Sequence, residues 1–173
     1  MTVQLFADES KRNGFVLIAA AYPAADVSWH RSQLRRQLRA GQRRIHFKSE
    51  SPQARQRLLT TLATRPPQVH VFISELRSMS QARADCLYAL ALLASHGGAN
   101  RLVIEADESR DHDDRRVLTE AMSKAGRHVP WELLPPHVEP LLWVADALAW
   151  CWPHPDQRWR QQIQPWVASV TQV

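Results

Sequence analysis

Two apolar runs near the N-terminus constrain the fold of this chain most strongly. Residues 2–8 alternate apolar and polar side chains in the manner of a half-buried strand, and residues 14–22, "GFVLIAAAY", are almost continuously apolar. Between them lies the short, turn-rich segment "DESKRNG". The two runs are therefore expected to pair as a β-hairpin, which makes at least part of the sheet antiparallel.

Helical and extended patterns alternate along the rest of the chain. Helices are predicted over about 27–40, 52–64, 80–95, 111–126, 140–152 and 156–170, and strands over about 68–76, 100–108 and 128–136. A hairpin followed by alternating helices and strands predicts an α/β fold with a mixed β-sheet flanked by helices. We predict a single domain over residues 1–173, with the C-terminal helix 156–170 as an appendage.

Composition limits the class of protein. The chain has 173 residues, of which 45% are hydrophobic, and this suits one globular core. No apolar run approaches the roughly 18 residues that a membrane helix needs, and "MTVQLFADES" lacks the layout of a signal peptide. A cytoplasmic location is expected, with Cys86 and Cys151 as small buried hydrophobes rather than as a disulfide or a metal site.

Positive charge is concentrated in one part of the chain. Between His30 and Arg65 there are ten lysine and arginine residues and one acid, whereas acids outnumber bases elsewhere. Such a block favours a polyanionic partner, here DNA or RNA, although a solvated helix face is the plain alternative. The residues predicted to contact nucleic acid are Lys11, Arg35, Arg36, Arg39, Arg43, Arg44 and Lys48.

Acidic residues occur in three apolar segments, where they are not expected. "FADES" carries Asp8 and Glu9, "VIEADES" carries Glu105 and Asp107, and "WVADALAW" carries Asp146. On a helix, Asp146 faces the core, where a lone carboxylate is strongly unfavourable unless it is paired or bound to metal. The alternative is that each acid is a structural ion pair, a strand-end cap or a solvated group.

Carboxylates that converge point to a metal centre. They resist ionisation unless a cation compensates them, and hard Mg²⁺ or Mn²⁺ prefers such oxygen ligands. Two such ions can activate water and stabilise the leaving oxygen in phosphodiester cleavage. No Gly-rich phosphate loop, GxSxG, CxxC or HExxH motif is present to favour another chemistry.

The segments "FADES", "RRIHFKSE", "VIEADES" and "PLLWVADALAW" together resemble the family catalogued as domain of unknown function 3800, over nearly the whole chain. The resemblance implies a ribonuclease H-like fold and nuclease activity. The chain departs from the family at Lys11, where Gly is usual. Matched residue by residue, the family's acids and histidine fall on Asp8, Glu9, His46, Glu50, Asp107 and Asp146.

The predicted function is that of a metal-dependent nuclease. Asp8, Asp107 and Asp146 are the expected ligands of Mg²⁺ or Mn²⁺, with Glu105 as the alternative to Asp107. Glu9, His46 and Glu50 are expected to complete or orient the site. The alternative is a non-catalytic module that binds nucleic acid or a partner protein, and the tryptophan-rich C-terminal segment is a candidate homodimer surface.

Overall fold

The predicted hairpin forms the centre of a six-stranded sheet in the computed structural model, which describes residues 1–173. Asn13 and Gly14 turn the chain with positive φ angles of 57° and 113°, a conformation that Asn and Gly adopt most readily. The strands are β1 (Val3–Ser10), β2 (Phe15–Pro23), β3 (Gln68–Ser74), β4 (Ala99–Glu105), β5 (Trp131–Leu134) and β6 (Val167–Gln172).

The sheet is mixed, as the order of elements predicted. Its strand order is β5-β4-β1-β2-β3-β6. β2 is antiparallel to both β1 and β3, whereas β4 is parallel to β1 and β5. β6 extends the other edge, parallel to β3. β1 therefore lies between its antiparallel hairpin partner and the parallel strand β4.

Six α-helices cover the two faces of the sheet. They are α1 (Val27–Arg35), α2 (Pro52–Thr64), α3 (Met79–His96), α4 (Asp111–Ala125), α5 (Leu141–Cys151) and α6 (Gln157–Ile163). Ser51 caps the start of α2, since its Oγ accepts a hydrogen bond of 3.2 Å from the Ala54 N–H. No helix combines the length and the apolar character needed to cross a membrane.

Two hydrophobic cores lie on opposite sides of the sheet. Helices α3 and α4 pack over one face, and α1, α2 and α5 pack over the other. Successive side chains of a strand point to opposite faces. Accordingly, Phe6 of β1 belongs to the α5 core, whereas Leu5 and Ala7 belong to the α3 and α4 core.

The C-terminal segment differs from its prediction. The expected helix 156–170 ends at Ile163, and residues 167–172 form β6, so this segment completes the sheet instead of standing apart from it. Pro165 explains the early end, because proline lacks the N–H that a continuing helix requires. The helix predicted over 27–40 also ends early, at Arg35, and the loop that follows it contains a 3₁₀ turn over Phe47–Ser49.

Candidate active site

Two acids meet at the carboxyl ends of neighbouring parallel strands. Ala7 of β1 is in register with Ile104 of β4, so Asp8 and Glu105 are the next neighbours along the pair. Asp8 lies two residues after Phe6, and Glu105 two residues after Val103. Both acids are therefore on the face of the sheet that α5 covers. The two carboxyl groups are close enough for each to change the pKa of the other.

A third acid reaches the same place from helix α5. Asp146 lies on the side of α5 that packs against β1, and its charge acts on both strand acids. Its Oδ2 accepts a hydrogen bond of 2.8 Å from the Phe47 N–H. This bond ties the loop between α1 and α2 to the site. The structure thus brings together Asp8, Glu105 and Asp146, hereafter the acid cluster.

Burial and mutual repulsion perturb the ionisation of the acid cluster. Burial is the main cause that raises the pKa of Asp8, followed by the charges of Glu105 and Asp146. Burial and then the Asp146 charge raise the pKa of Glu105 to about 7. Burial also raises the pKa of Asp146, against the hydrogen bond from Phe47. The three carboxyl groups therefore do not all carry charge at neutral pH unless a cation compensates them.

Arginine and histidine side chains adjoin the acid cluster. Arg44 Nη1 lies 3.8 Å from Glu105 Oε1, and the Arg44 guanidinium also contacts His46 Nδ1. His46 and Arg44 both lie near Asp146, and the Arg44 charge acts against burial on the pKa of that carboxyl. The predicted histidine and one predicted nucleic-acid contact therefore lie beside the acids, and both come from the loop that Asp146 holds.

Glu9 lies on the opposite face of the sheet from Asp8. It pairs with Arg83 of α3 and with Lys11, whose Nζ is 3.0 Å from Glu9 Oε1. Arg83 also forms a buried two-pronged ion pair with Asp114 of α4. The alternation of side chains along β1 separates Glu9 from the acid cluster, and the contacts of Glu9 are its ion pairs with Arg83 and Lys11.

Sequence reasoning missed the Arg83–Asp114 pair. Asp114 stands in an acidic stretch typical of a solvated helix start, yet it is buried with Val117, Leu118 and Ala121. The spacing of these residues indicates that Asp114 is buried, because positions three, four and seven apart share one helix face.

Asp107, the favoured strand-end acid, does not join the cluster. β4 ends at Glu105, and the Asp107 carboxylate accepts hydrogen bonds from the Ser109 N–H at 3.0 Å and the Ser109 hydroxyl at 2.6 Å. Those bonds lower the pKa of Asp107, and its charged neighbours are Arg83 and Lys11. Glu105, rather than the predicted ligand Asp107, is the strand-end acid that lies beside Asp8, because this local turn engages the Asp107 carboxylate.

The other predicted residues lie around the cluster or away from it. Glu50 is buried, where it accepts a hydrogen bond of 2.6 Å from Gln42 and pairs with Arg39 at 3.2 Å, and these bonds brace the loop. Lys11 is engaged by Glu9. The remaining predicted contacts lie exposed on the end of α1 and the following loop, namely Arg35, Arg36, Arg39, Arg43 and Lys48.

The acid cluster has suitable donors for a metal ion but no ready-made coordination site. Its carboxylate oxygens are of the kind that Mg²⁺ or Mn²⁺ prefers. As the side chains lie, however, no three Asp, Glu, His or Cys groups are close enough together to hold an ion. The donor chemistry therefore fits a hard divalent cation, whereas the side-chain placement leaves the coordination unformed.

Comparison with known proteins shows the fold. No family model and no curated protein matches this sequence, so the resemblance to the domain of unknown function 3800 family stays a prediction. The ribonuclease HII in "Structure of the PCNA:RNase HII complex from Archaeoglobus fulgidus" is similar in structure, with a TM-score of 0.54 and 14% identity over 95% of this chain and 75% of that chain. The predicted ribonuclease H-like fold, a mixed sheet flanked by helices, is confirmed.

Proposed function

We propose that this protein is a metal-dependent nuclease that hydrolyses phosphodiester bonds of nucleic acid at the acid cluster. The observation that carries the proposal is the convergence of Asp8, Glu105 and Asp146 from β1, β4 and α5, with their pKa values raised by burial. Perturbed carboxyl groups gathered in one place are typical of functional sites. Asp8 and Asp146 form no ion pair, and Glu105 has only Arg44 at 3.8 Å, whereas the structural acid Asp114 lies 2.7 Å from Arg83.

Mg²⁺ or Mn²⁺ is the proposed cofactor, held by Asp8, Glu105 and Asp146. When bound, such a cation supplies positive charge against the negative charge that develops on the phosphoryl oxygens. The Phe47 N–H orients Asp146. His46 lies beside Asp146 with its Nδ1 against Arg44, which leaves Nε2 free to exchange a proton.

Nucleic acid is the proposed substrate because the acid cluster adjoins a basic surface. Arg44 contacts the cluster directly. The exposed arginines at the end of α1 and in the loop belong to the same basic segment of the chain. Contacts of arginine with phosphates supply affinity that weakens as salt rises. These arginines would hold the strand while the carboxyl groups face the scissile bond.

The deciding experiment is calorimetric titration of Mn²⁺ into the wild-type protein, Asp146→Asn and Asp113→Asn. Asp113 is the matched control, since it is an exposed acid of α4 outside the cluster. We expect saturable binding by the wild type and by Asp113→Asn, and a loss of at least about tenfold in affinity for Asp146→Asn. Cleavage of DNA and RNA in Mn²⁺ should follow the same order. Equal Mn²⁺ binding and equal cleavage by all three proteins would overturn the assignment.

A second candidate is a non-catalytic module that binds nucleic acid on the same scaffold. Two observations favour it. No three side chains are placed to coordinate a metal ion, and the positive charge of Arg44 already compensates the negative charge of Glu105. Salt-dependent binding that is unchanged by Mn²⁺ and by Asp146→Asn, together with no cleavage, would support this alternative.

A further inference from the structure

A polar cleft opens on the same face of the sheet as the acid cluster. Its volume is about 490 Å³, within the range of roughly 300–1,000 Å³ that is usual for ligand sites. The β1–β2 turn, the residues after α5, and α6 form its walls. The polar lining includes Arg12, Asn13, His154, Gln157, Arg160 and Gln161.

The cleft is cationic, and its arginines have no acidic partners. No Asp or Glu lines it, and neither Arg12 nor Arg160 forms an ion pair within the protein. The Arg160 guanidinium stacks on the Trp152 ring with its central carbon 3.8 Å from the ring centroid. In contrast, Arg158 of the same helix pairs with Asp156 at 2.8 Å. The two cleft guanidinium groups are therefore available to an anion from outside.

The cleft lies close to the acid cluster. Ile18 is opposite Asp8, and Val16, which lines the cleft, is two residues further along the same face of β2, or about 7 Å. Trp152, in the cleft wall, follows Asp146 by six residues, or about 9 Å along the α5 axis. A chain that crosses the acid cluster towards β3 would enter the cleft after a step on the order of one nucleotide.

We propose that this cleft binds a phosphate group of the nucleic-acid strand that lies over the acid cluster. Arg12 and Arg160 supply the charge and the paired N–H donors that phosphate oxygens accept, and the amides of Gln157 and Gln161 supply neutral donors beside them. Stacking on Trp152 limits the freedom of Arg160 before the phosphate arrives. This inference rests on the proposed function, since it names where a neighbouring phosphate of that substrate is held.

The test measures binding of short fluorescent single-stranded DNA and RNA by anisotropy in EDTA, so that no metal contributes. The proteins are the wild type, Arg12→Gln, Arg160→Gln and the control Arg158→Gln, each checked for an unchanged melting temperature. We expect Arg12→Gln and Arg160→Gln to weaken binding about fivefold or more and to reduce the salt slope by about one. Arg158→Gln should bind within about twofold of the wild type, because its charge is already paired outside the cleft.

Several results would overturn the proposal. These are no binding of either oligonucleotide by the wild type, wild-type affinity in both cleft variants, or an equal loss in Arg158→Gln, which would indicate general surface charge. Competition with inorganic phosphate and with a nucleoside 5′-monophosphate separates the sources of the phosphate. If the cleft variants lose affinity only for the free nucleotide and keep that for the oligonucleotide, the cleft is a mononucleotide site and not a strand site.

Two assays, Mn²⁺ affinity and oligonucleotide affinity, distinguish failure of the phosphate-site proposal from failure of the nuclease proposal. Arg160→Gln leaves the acid cluster intact, so it should keep the Mn²⁺ affinity of the wild type while it loses oligonucleotide affinity. Asp146→Asn should show the reverse pattern in the two assays. A cleft effect without any Mn²⁺ binding by the wild type would leave the phosphate site standing and remove the nuclease proposal.

Discussion

Glu105 lies beside Asp8 at the carboxyl ends of β4 and β1, where each carboxyl group changes the pKa of the other. This relationship follows from parallel pairing, which brings the two strand ends to the same edge, and from alternation, which turns both side chains towards α5. Asp146 lies opposite the pair. Burial of all three carboxyl groups makes their charged forms unfavourable unless a cation compensates them. The protonation state of Glu105 is therefore the quantity that links stability, metal binding and activity in this protein.

The stability of the metal-free protein is predicted to depend on pH through Glu105. Its pKa is about 7 in the folded state against an ordinary value of 4.5, so between these values the folded protein keeps a proton that the unfolded chain has lost. This contribution to stability is complete below about pH 4.5 and is lost as the pH rises towards 7. Glu105→Gln should remove it, so its melting temperature should fall less than that of the wild type across this range.

Buried histidines act in the opposite direction, and the comparison must account for them. Burial lowers the pKa of His30 to about 4 and also lowers that of His70, so both favour the folded state as the pH rises. They are present in the wild type and in Glu105→Gln alike, so the difference between the two melting curves removes their contribution and reports Glu105 together with Asp8, whose pKa the Glu105 charge raises. Parallel curves from pH 4.5 to 7 would show that Glu105 does not hold this proton.

The choice between the two acids of "VIEADES" is predicted to be decisive in cleavage. Glu105→Gln should lower the rate of cleavage in Mn²⁺ by about 100-fold or more, because it removes a proposed metal ligand. Asp107→Asn should stay within a few-fold of the wild type, since Asp107 is engaged by Ser109. Both variants should keep the wild-type circular dichroism spectrum. A large loss in Asp107→Asn with little effect of Glu105→Gln would reverse the assignment.

The sequence pattern predicts the positions of Asp8 and Asp146 more securely than that of Glu105. Alternation within β1 puts Asp8 on the face of Phe6, and helical spacing turns Asp146 inward. Glu105 and Asp107, in contrast, are two residues apart and satisfy alternation equally well. Which of them serves depends on where pairing with β5 stops, at Glu105, and this is decided by tertiary contacts rather than by local pattern.

Two further differences have the same kind of cause. The family motif places Glu9 next to Asp8, although adjacent strand residues face opposite sides of the sheet and Glu9 pairs with Arg83. The segment over 167–172 contains the β-branched residues Val167, Val170 and Thr171, which the predicted helix 156–170 does not take into account, and pairing with β3 makes it a strand. Local propensity is a weak guide where long-range pairing satisfies the backbone.

The buried pair between Arg83 and Asp114 is predicted to be a major source of stability. Both side chains are about 95% buried, and removing Asp114 leaves the Arg83 guanidinium with Glu9 as its remaining acidic partner. Asp114→Ala should therefore lower the free energy of unfolding by up to about 3 kcal/mol, less than the loss expected when a buried charge keeps no partner, measured by urea denaturation. Asp113→Ala, one residue away and exposed, is the control and should have little effect. Similar midpoints for the two variants would contradict a structural role for the pair.

Binding of Mn²⁺ is predicted to strengthen with pH up to about 7, the pKa of Glu105. Below that value the cation must displace a proton, so the affinity should rise about tenfold per pH unit for each proton displaced. Calorimetry in buffers of different ionisation enthalpy counts the protons released on binding. Asp107→Asn should retain the pH dependence, whereas Glu105→Gln should bind weakly and with a flatter profile. Equal Mn²⁺ affinity on both sides of the pKa, with no proton release in any buffer, would mean that the cation binds somewhere other than the pair of Asp8 and Glu105.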